Sequence, residues 1–322
     1  MDNRIVRPKS IAMPSAADRL YQALSTNSSR TARGPDRRIA RADEILENVR
    51  GSPATDHANA ERQLQEVQVI LSADWTPEAR ATKSDALILL ANKRRDRGRI
   101  SGQSGAYALY TSSGALIEDR NETRRKTELL LFKASCLEMS GLNDLALEKF
   151  GEACVSSSSG QDWYNSWAHF RVATNLVKLG ELEQALQEIQ LSLANPVSDT
   201  DIVWNSVQRM KRASLGIAMS EIDLALRDAS EASSALSTAG SLLVVRSSIQ
   251  YADALMASGD IDEGIRVLSR AESISHEEGY VHQLHSVSRL IDKHTGPSSQ
   301  SSPRLIVATF KPLTREEADR LD

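Results

Sequence analysis

The chain has 322 residues, 40% apolar and 25% charged, with a formal net charge of −4 at pH 7. That composition supplies a core but not a membrane protein, and the longest apolar run, Ala86 to Ala91, falls far short of the roughly 18 residues of a membrane span. Two cysteines, Cys136 and Cys154, argue against a disulfide scaffold, an iron–sulfur protein and a cysteine-based zinc module, and they fit a reducing, cytoplasmic compartment.

The charge is unevenly divided. Residues 1–126 hold 22 Lys and Arg against 16 Asp and Glu, whereas residues 127–322 hold 17 against 27. Two surfaces with different partners, or two ordinary halves, both give such an imbalance. Residues 1–35 read as a flexible basic arm, rich in Arg and Ser, whose one helical stretch from Ala16 to Leu24 ends at Ser25-Thr26-Asn27-Ser28-Ser29. A transit peptide shares that composition, but Asp2 and Asp18 count against one, and no apolar stretch after Met1 suits a secretory signal.

Residues 36–118 are expected to form an N-terminal helical region. Pro35-Asp36 opens a helix that runs to about Arg50, with Ile39, Ile45, Leu46 and Val49 on one side, and Gly51-Ser52-Pro53 stops it. A second, from His57 to about Leu71, aligns Leu64, Val67 and Leu71, with Ile70 extending the stripe. A third carries signals at both ends: Thr76 as cap, Pro77 at the first helical position, and Gly98 beyond a basic last turn. No segment of the first 300 residues sustains the alternation of a strand.

Internal self-similarity organises residues 119–294. Four blocks each carry an alanine, a turn residue seven positions later and a small residue five positions after that. They are Ala134, Gly141, Ala146; Ala173, Gly180, Ala185; Ala213, Ser220, Ala225; and Ala252, Gly259, Gly264, at block spacings of 39, 40 and 39 residues. Small side chains at two facing positions let helices cross closely, and a glycine ends the first helix by adopting the left-handed conformation. Leu130, Leu137 and Phe150 in the first block, and Val172, Leu176 and Ile189 in the second, would supply the packing around them. Ala91 and Gly98 repeat the seven-residue offset, so a degenerate unit precedes the four, with a glycine-weakened second helix from about Gly105 to Leu116. After the last block, Glu278 to Lys293 reads as a capping helix with Val281, Leu284, Val287 and Leu290 along one face.

Leu179-Gly180-Glu181-Leu182-Glu183-Gln184-Ala185-Leu186 and Ser258-Gly259-Asp260-Ile261-Asp262-Glu263-Gly264-Ile265 resemble the turn and second-helix start of the tetratricopeptide repeat (TPR) family. The resemblance covers about residues 122–277 and differs in period, since 39–40 residues exceed the family's usual 34 and imply longer helices. It implies an all-α fold, a right-handed α-solenoid of TPR-like helical hairpins with a C-terminal capping helix. Carrying over the family register places Leu131, Met139, Trp167, Phe170, Met210, Ile249 and Met256 in an inner groove suited to an amphipathic helix or an extended apolar peptide. Leu131, Ser135, Phe170 and Thr174 stand where the family's chaperone-tail clamp needs Lys and Asn, which disfavours an acidic chaperone tail as the ligand.

Residues 295–322 combine a Ser-rich linker, Ser298 to Pro303, with a β-prone run, Leu305 to Phe310, and a capping-box sequence, Thr314-Arg315-Glu316-Glu317, opening a short helix. Such a tail docks either on its own solenoid, which is favoured, or on another chain.

Catalytic motifs are not evident. No Walker, G-x-S-x-G, H-E-x-x-H or EF-hand pattern occurs. His282 and His285 share a helix face but lack a firmly placed third ligand, so no metal site is expected, and no cofactor. Cys136 and Cys154 read as small buried hydrophobes. The basic cluster Lys93, Arg94, Arg95, Arg97, Arg99, with Arg124 and Arg125 opening the next repeat, reads either as solvated charge at a helix C-terminus or as a patch for phosphates or an acidic partner. Trp163, Tyr164 and Trp167 read as staples between adjoining repeats. The expectation is a non-enzymatic adaptor, scaffold or regulatory subunit that binds a protein or peptide segment within a larger complex. The alternative is a peptide-sensing regulator whose basic N-terminal half contacts nucleic acid; no membrane partner is expected.

Overall fold

A computed structural model describes residues 37–51, 57–118, 123–157, 163–296 and 312–321, and among these the regular elements are all α-helices, with no strand. The expected basic arm, the Ser-rich linker and the run from Leu305 to Phe310 lie outside the described residues. Two compact units divide between Val197 and Ser198.

The first unit holds α1 (Arg37–Gly51), α2 (His57–Ile70), α3 (Pro77–Asp96), α4 (Ala106–Ala115), α5 (Thr123–Met139), α6 (Asn143–Ser157), α7 (Trp163–Leu179) and α8 (Leu182–Leu193). The expected stripes are its core: Ile45, Leu46 and Val49 from α1 are buried, and so are Leu64, Val67 and Leu71 of α2 and the turn after it, while Ile39 and Ile70 are half-buried. Thr76 caps α3 by accepting from the Ala79 amide at 3.3 Å. The weak second helix of the degenerate unit does form. Gly105, just before α4, sits so close to the preceding loop that a Cβ there would meet the Ile100 carbonyl oxygen at 2.2 Å, so this glycine serves a close approach.

The short helix α9 (Val197–Thr200) spans the division. The second unit contains α10 (Ile202–Ala218), α11 (Ile222–Ala235), α12 (Ser241–Ala257), α13 (Ile261–Glu278) and α14 (Val281–Thr295). The last helix begins at Val281, because Glu278 still belongs to α13 and Gly279, at φ 72°, breaks the two apart. Its Val287 and Leu290 cover Ala252, Met256 and Leu268.

Hairpins α5–α6, α7–α8, α10–α11 and α12–α13 share one closing geometry. The alanines at both marked positions are fully buried, and Gly264 replaces the second alanine in the fourth hairpin. Each turn has its left-handed residue at the marked place, Gly141, Gly180, Ser220 and Gly259 with φ between 62° and 97°. Each is sealed by the same hydrogen bond across five residues: Leu142 N to Leu137 O, Glu181 N to Leu176 O, Glu221 N to Gly216 O and Asp260 N to Leu255 O, all between 2.7 and 3.0 Å. Arg99 N to Arg94 O, at 2.8 Å with Gly98 left-handed, repeats that bond between α3 and α4. The open ends of three hairpins carry hydroxyl pairs, Ser84–Ser113 at 2.7 Å, Thr127–Ser156 at 2.8 Å and Ser166–Ser192 at 3.3 Å, which tie the two helices where no turn holds them.

The closing segment returns to the first unit. In α15 (Arg315–Leu321) the capping box is reciprocal: Glu317 N donates to Thr314 Oγ1 and Thr314 N to Glu317 Oε2, both at 3.2 Å. Leu313 and Ala318 are buried, and Arg315 pairs with Asp144 at the start of α6.

Candidate partner-binding surface

The seven groove positions differ in what they offer a partner. Met139 is 44% exposed, and Phe170 and Ile249 are half-buried. Leu131, Trp167, Met210 and Met256 are buried within their units, Met256 against Val287 and Leu290 of α14. Leu131, Met139, Trp167 and Phe170 belong to the first unit, and Met210, Ile249 and Met256 to the second.

The first helices of successive hairpins, α5 and α7, lie side by side. Phe132 meets Trp167 edge-on at 6.2 Å, Tyr110 of α4 lies 5.2 Å from Phe132, and Trp163 lies 5.1 Å from Trp167. The Tyr110, Phe132 and Trp167 rings link α4, α5 and α7, so Trp167 takes the stapling role expected of it, while the Trp163–Trp167 contact lies within α7. Arg95 of α3 covers the Phe132 ring at 5.4 Å.

Charge gathers beside this row. Glu138, one residue before Met139, receives Lys178 Nζ at 2.7 Å and is also paired with Arg171. Arg171 stacks on Phe150 at 5.3 Å. Burial, followed by the like charge of Arg95, pulls the Arg171 guanidinium down to about 10. Burial and then Arg171 lower the Lys178 ammonium. Two cations thus share a single buried carboxylate, Glu138, while Arg95, paired with Asp96 at 3.2 Å, adds its like charge to Arg171. The Arg171 Nε is buried without a hydrogen-bond partner. A further acidic group arriving here would relieve like-charge repulsion. Sequence reasoning missed Glu138, Arg171 and Lys178; the 40-residue interval between Glu138 and Lys178, one repeat, is the signal that could have found them.

The basic patch is largely matched by acids. Glu61 takes Arg94, Arg97 and Arg99 at 3.8, 3.3 and 3.5 Å. Arg125 pairs with Asp85 and, at 3.5 Å, with Glu128. Arg124 lies over the Tyr164 ring at 5.2 Å, and Lys93 is half-buried. Charge already neutralised in this way gives little electrostatic gain to a nucleic acid backbone.

Neither thiol is activated. Burial pushes Cys136 and Cys154 up to about 12, opposite to what a nucleophile requires. Among the described residues no helix is long and apolar enough to cross a membrane.

The sequence matches no family model and no curated protein. Solved structures are similar in fold. Aspartyl phosphate phosphatase F from Bacillus subtilis aligns with a TM-score of 0.60 at 12% identity, over 86% of this chain and 73% of its own. BtubC from P. vanneervenii aligns with a TM-score of 0.59 at 16% identity, over 81% and 98%. A Rap protein complexed with competence and sporulation factor aligns at 0.55 and 12% identity, over 81% and 83%. With the repeated hairpins described above, these likenesses establish a TPR-like helical-repeat fold.

Proposed function

We propose that this chain is a non-enzymatic interaction module, an adaptor or regulatory subunit, that binds a segment of a protein partner on the α5–α7 face of its first unit. The observation that carries this reading is the pair Arg171 and Lys178 sharing the buried carboxylate of Glu138, one residue before the exposed Met139. An excess of cations next to an exposed thioether suits a segment that offers a carboxylate and an apolar side chain together. Met139 and Phe170 would supply the apolar contact, and Arg171 and Lys178 the charged one. The likeness to a Rap protein solved with a bound factor supports a role in recognition. Two free thiols suit a reducing compartment.

Parallel capture by the intact chain and by a Met139→Ala, Lys178→Glu variant tests the reading. Partners recovered by the intact chain should fall at least about tenfold with the variant, the effect of losing roughly 1.4 kcal/mol. Equal recovery by both would remove this face from consideration.

A further inference from the structure

The geometry points to a second site, on different residues. Cys154 of α6, His169 of α7 and Glu188 of α8 each bring one donor atom to a common place, all within 4.8 Å of one another. His169 Nδ1 and a Glu188 oxygen are 2.7 Å apart. All three side chains are half-buried: His169 is 18% and Glu188 26% exposed, so the place is sheltered yet reachable from solvent.

We propose that Cys154 Sγ, His169 and Glu188 bind a thiophilic divalent cation of the zinc class, with water as the fourth ligand. Zinc bonds of about 2.3 Å to sulfur and 2.0–2.2 Å to nitrogen or oxygen place tetrahedral donors about 3.3–3.7 Å apart. No separation therefore needs to close by more than about 1.5 Å, and the His169–Glu188 pair must open by about 0.7 Å, both within reach of ordinary side-chain torsions. Sulfur with imidazole and one carboxylate selects zinc over magnesium or calcium, which favour all-oxygen shells. On binding, the Cys154 thiol gives its proton to solvent and the thiolate forms the bond to the metal, while His169 binds as neutral imidazole. Because the ligands come from three consecutive helices, the cation would staple the second helix of one hairpin to both helices of the next.

Cobalt(II) titrated into the intact, reduced chain is the probe, with zinc as competitor. One equivalent should give a thiolate-to-cobalt absorption band that zinc abolishes. Cys154→Ser should remove the band, and His169→Gln or Glu188→Gln should raise the cobalt Kd by roughly 10–100-fold or more. A chain that shows no thiolate band at saturating cobalt, or a band that survives Cys154→Ser, overturns the site. Circular dichroism checks each variant; should Cys154→Ser not fold, Glu188→Gln decides, and an unchanged Kd there is equally fatal.

Discussion

Glu138 and Lys178 stand 40 residues apart in the chain and 2.7 Å apart in space. The same interval joins Asp85 to Arg125 in the first unit and, at 2.8 Å, Asp253 to Lys293 in the second. The repeat is thus written in charge as well as in alanines. Glu138, 7% exposed, holds two cations, so Glu138→Gln leaves buried positive charge uncompensated. The expected loss is roughly 2–4 kcal/mol, reduced from the fully buried case because Lys178 is 40% exposed. Chemical denaturation should show it, with Arg171→Met restoring part of the stability in the double variant.

Two glycines should respond to alanine with opposite signs. At Gly264 a Cβ would meet Met256 Cγ at 2.5 Å and the Ala252 carbonyl oxygen at 3.2 Å, and overpacking of this kind costs about 1–3 kcal/mol. At Gly151, inside α6, nothing lies within 4 Å, so Gly151→Ala should stabilise by about 0.5–1 kcal/mol through helix propensity. Thermal melts of the two variants check both signs. A Gly264→Ala, Met256→Ala chain should lose the clash while gaining a cavity.

The closing segment is tied to the first unit by the Leu313 amide, which donates to Ser140 Oγ at 2.8 Å, and by burial of the Leu313 side chain. Leu313→Asp should release residues 312–321 to protease and lower the stability of the first unit by about 1–3 kcal/mol. The Arg315 guanidinium holds the Asp144 carboxyl below its usual range. A depressed carboxylate contributes stability above its unfolded value, about 4, and loses it as pH falls through the folded one. Proteolysis of the segment should therefore accelerate under acid conditions, and Asp144→Asn should remove that dependence.

Glu128 behaves in the opposite sense. Burial, opposed by Arg125 and reinforced by Asp85, pushes its carboxyl up to about 7. The stabilising contribution of the protonated form is complete below the unfolded value near 4.5 and disappears as pH rises through about 7. Glu128→Gln, which keeps the neutral form at every pH, should raise the unfolding midpoint more at pH 8 than at pH 5. Equal shifts at both would show that Glu128 is already charged in the folded chain.

The fold was legible because its rules are local. An alanine, a left-handed turn residue and a small residue at fixed offsets determine how one hairpin closes, and even Ser220 adopts φ 62° where the other turns use glycine. The capping box at Thr314 and the cap at Thr76 are equally short in range. What joins one hairpin to the next was harder to see. Cys154, His169 and Glu188 are 15 and 19 residues apart and match no ligand spacing, and they meet only because three helices pack. Ser140 and Leu313, 173 residues apart, carry no pattern linking them. Burial separated the groove positions, since a family register fixes which way Leu131 and Met139 point but not how closely the neighbouring helix covers them.

The central claim, that the α5–α7 face receives the partner, is tested most directly by photo-crosslinking in the intact chain. A photoreactive residue placed at Met139 is compared with one at Val155, which is 76% exposed on α6. The account predicts a partner adduct from position 139 that weakens with Lys178→Glu, and little from position 155. Equal yields from both, or an adduct at 139 indifferent to Lys178→Glu, would contradict it.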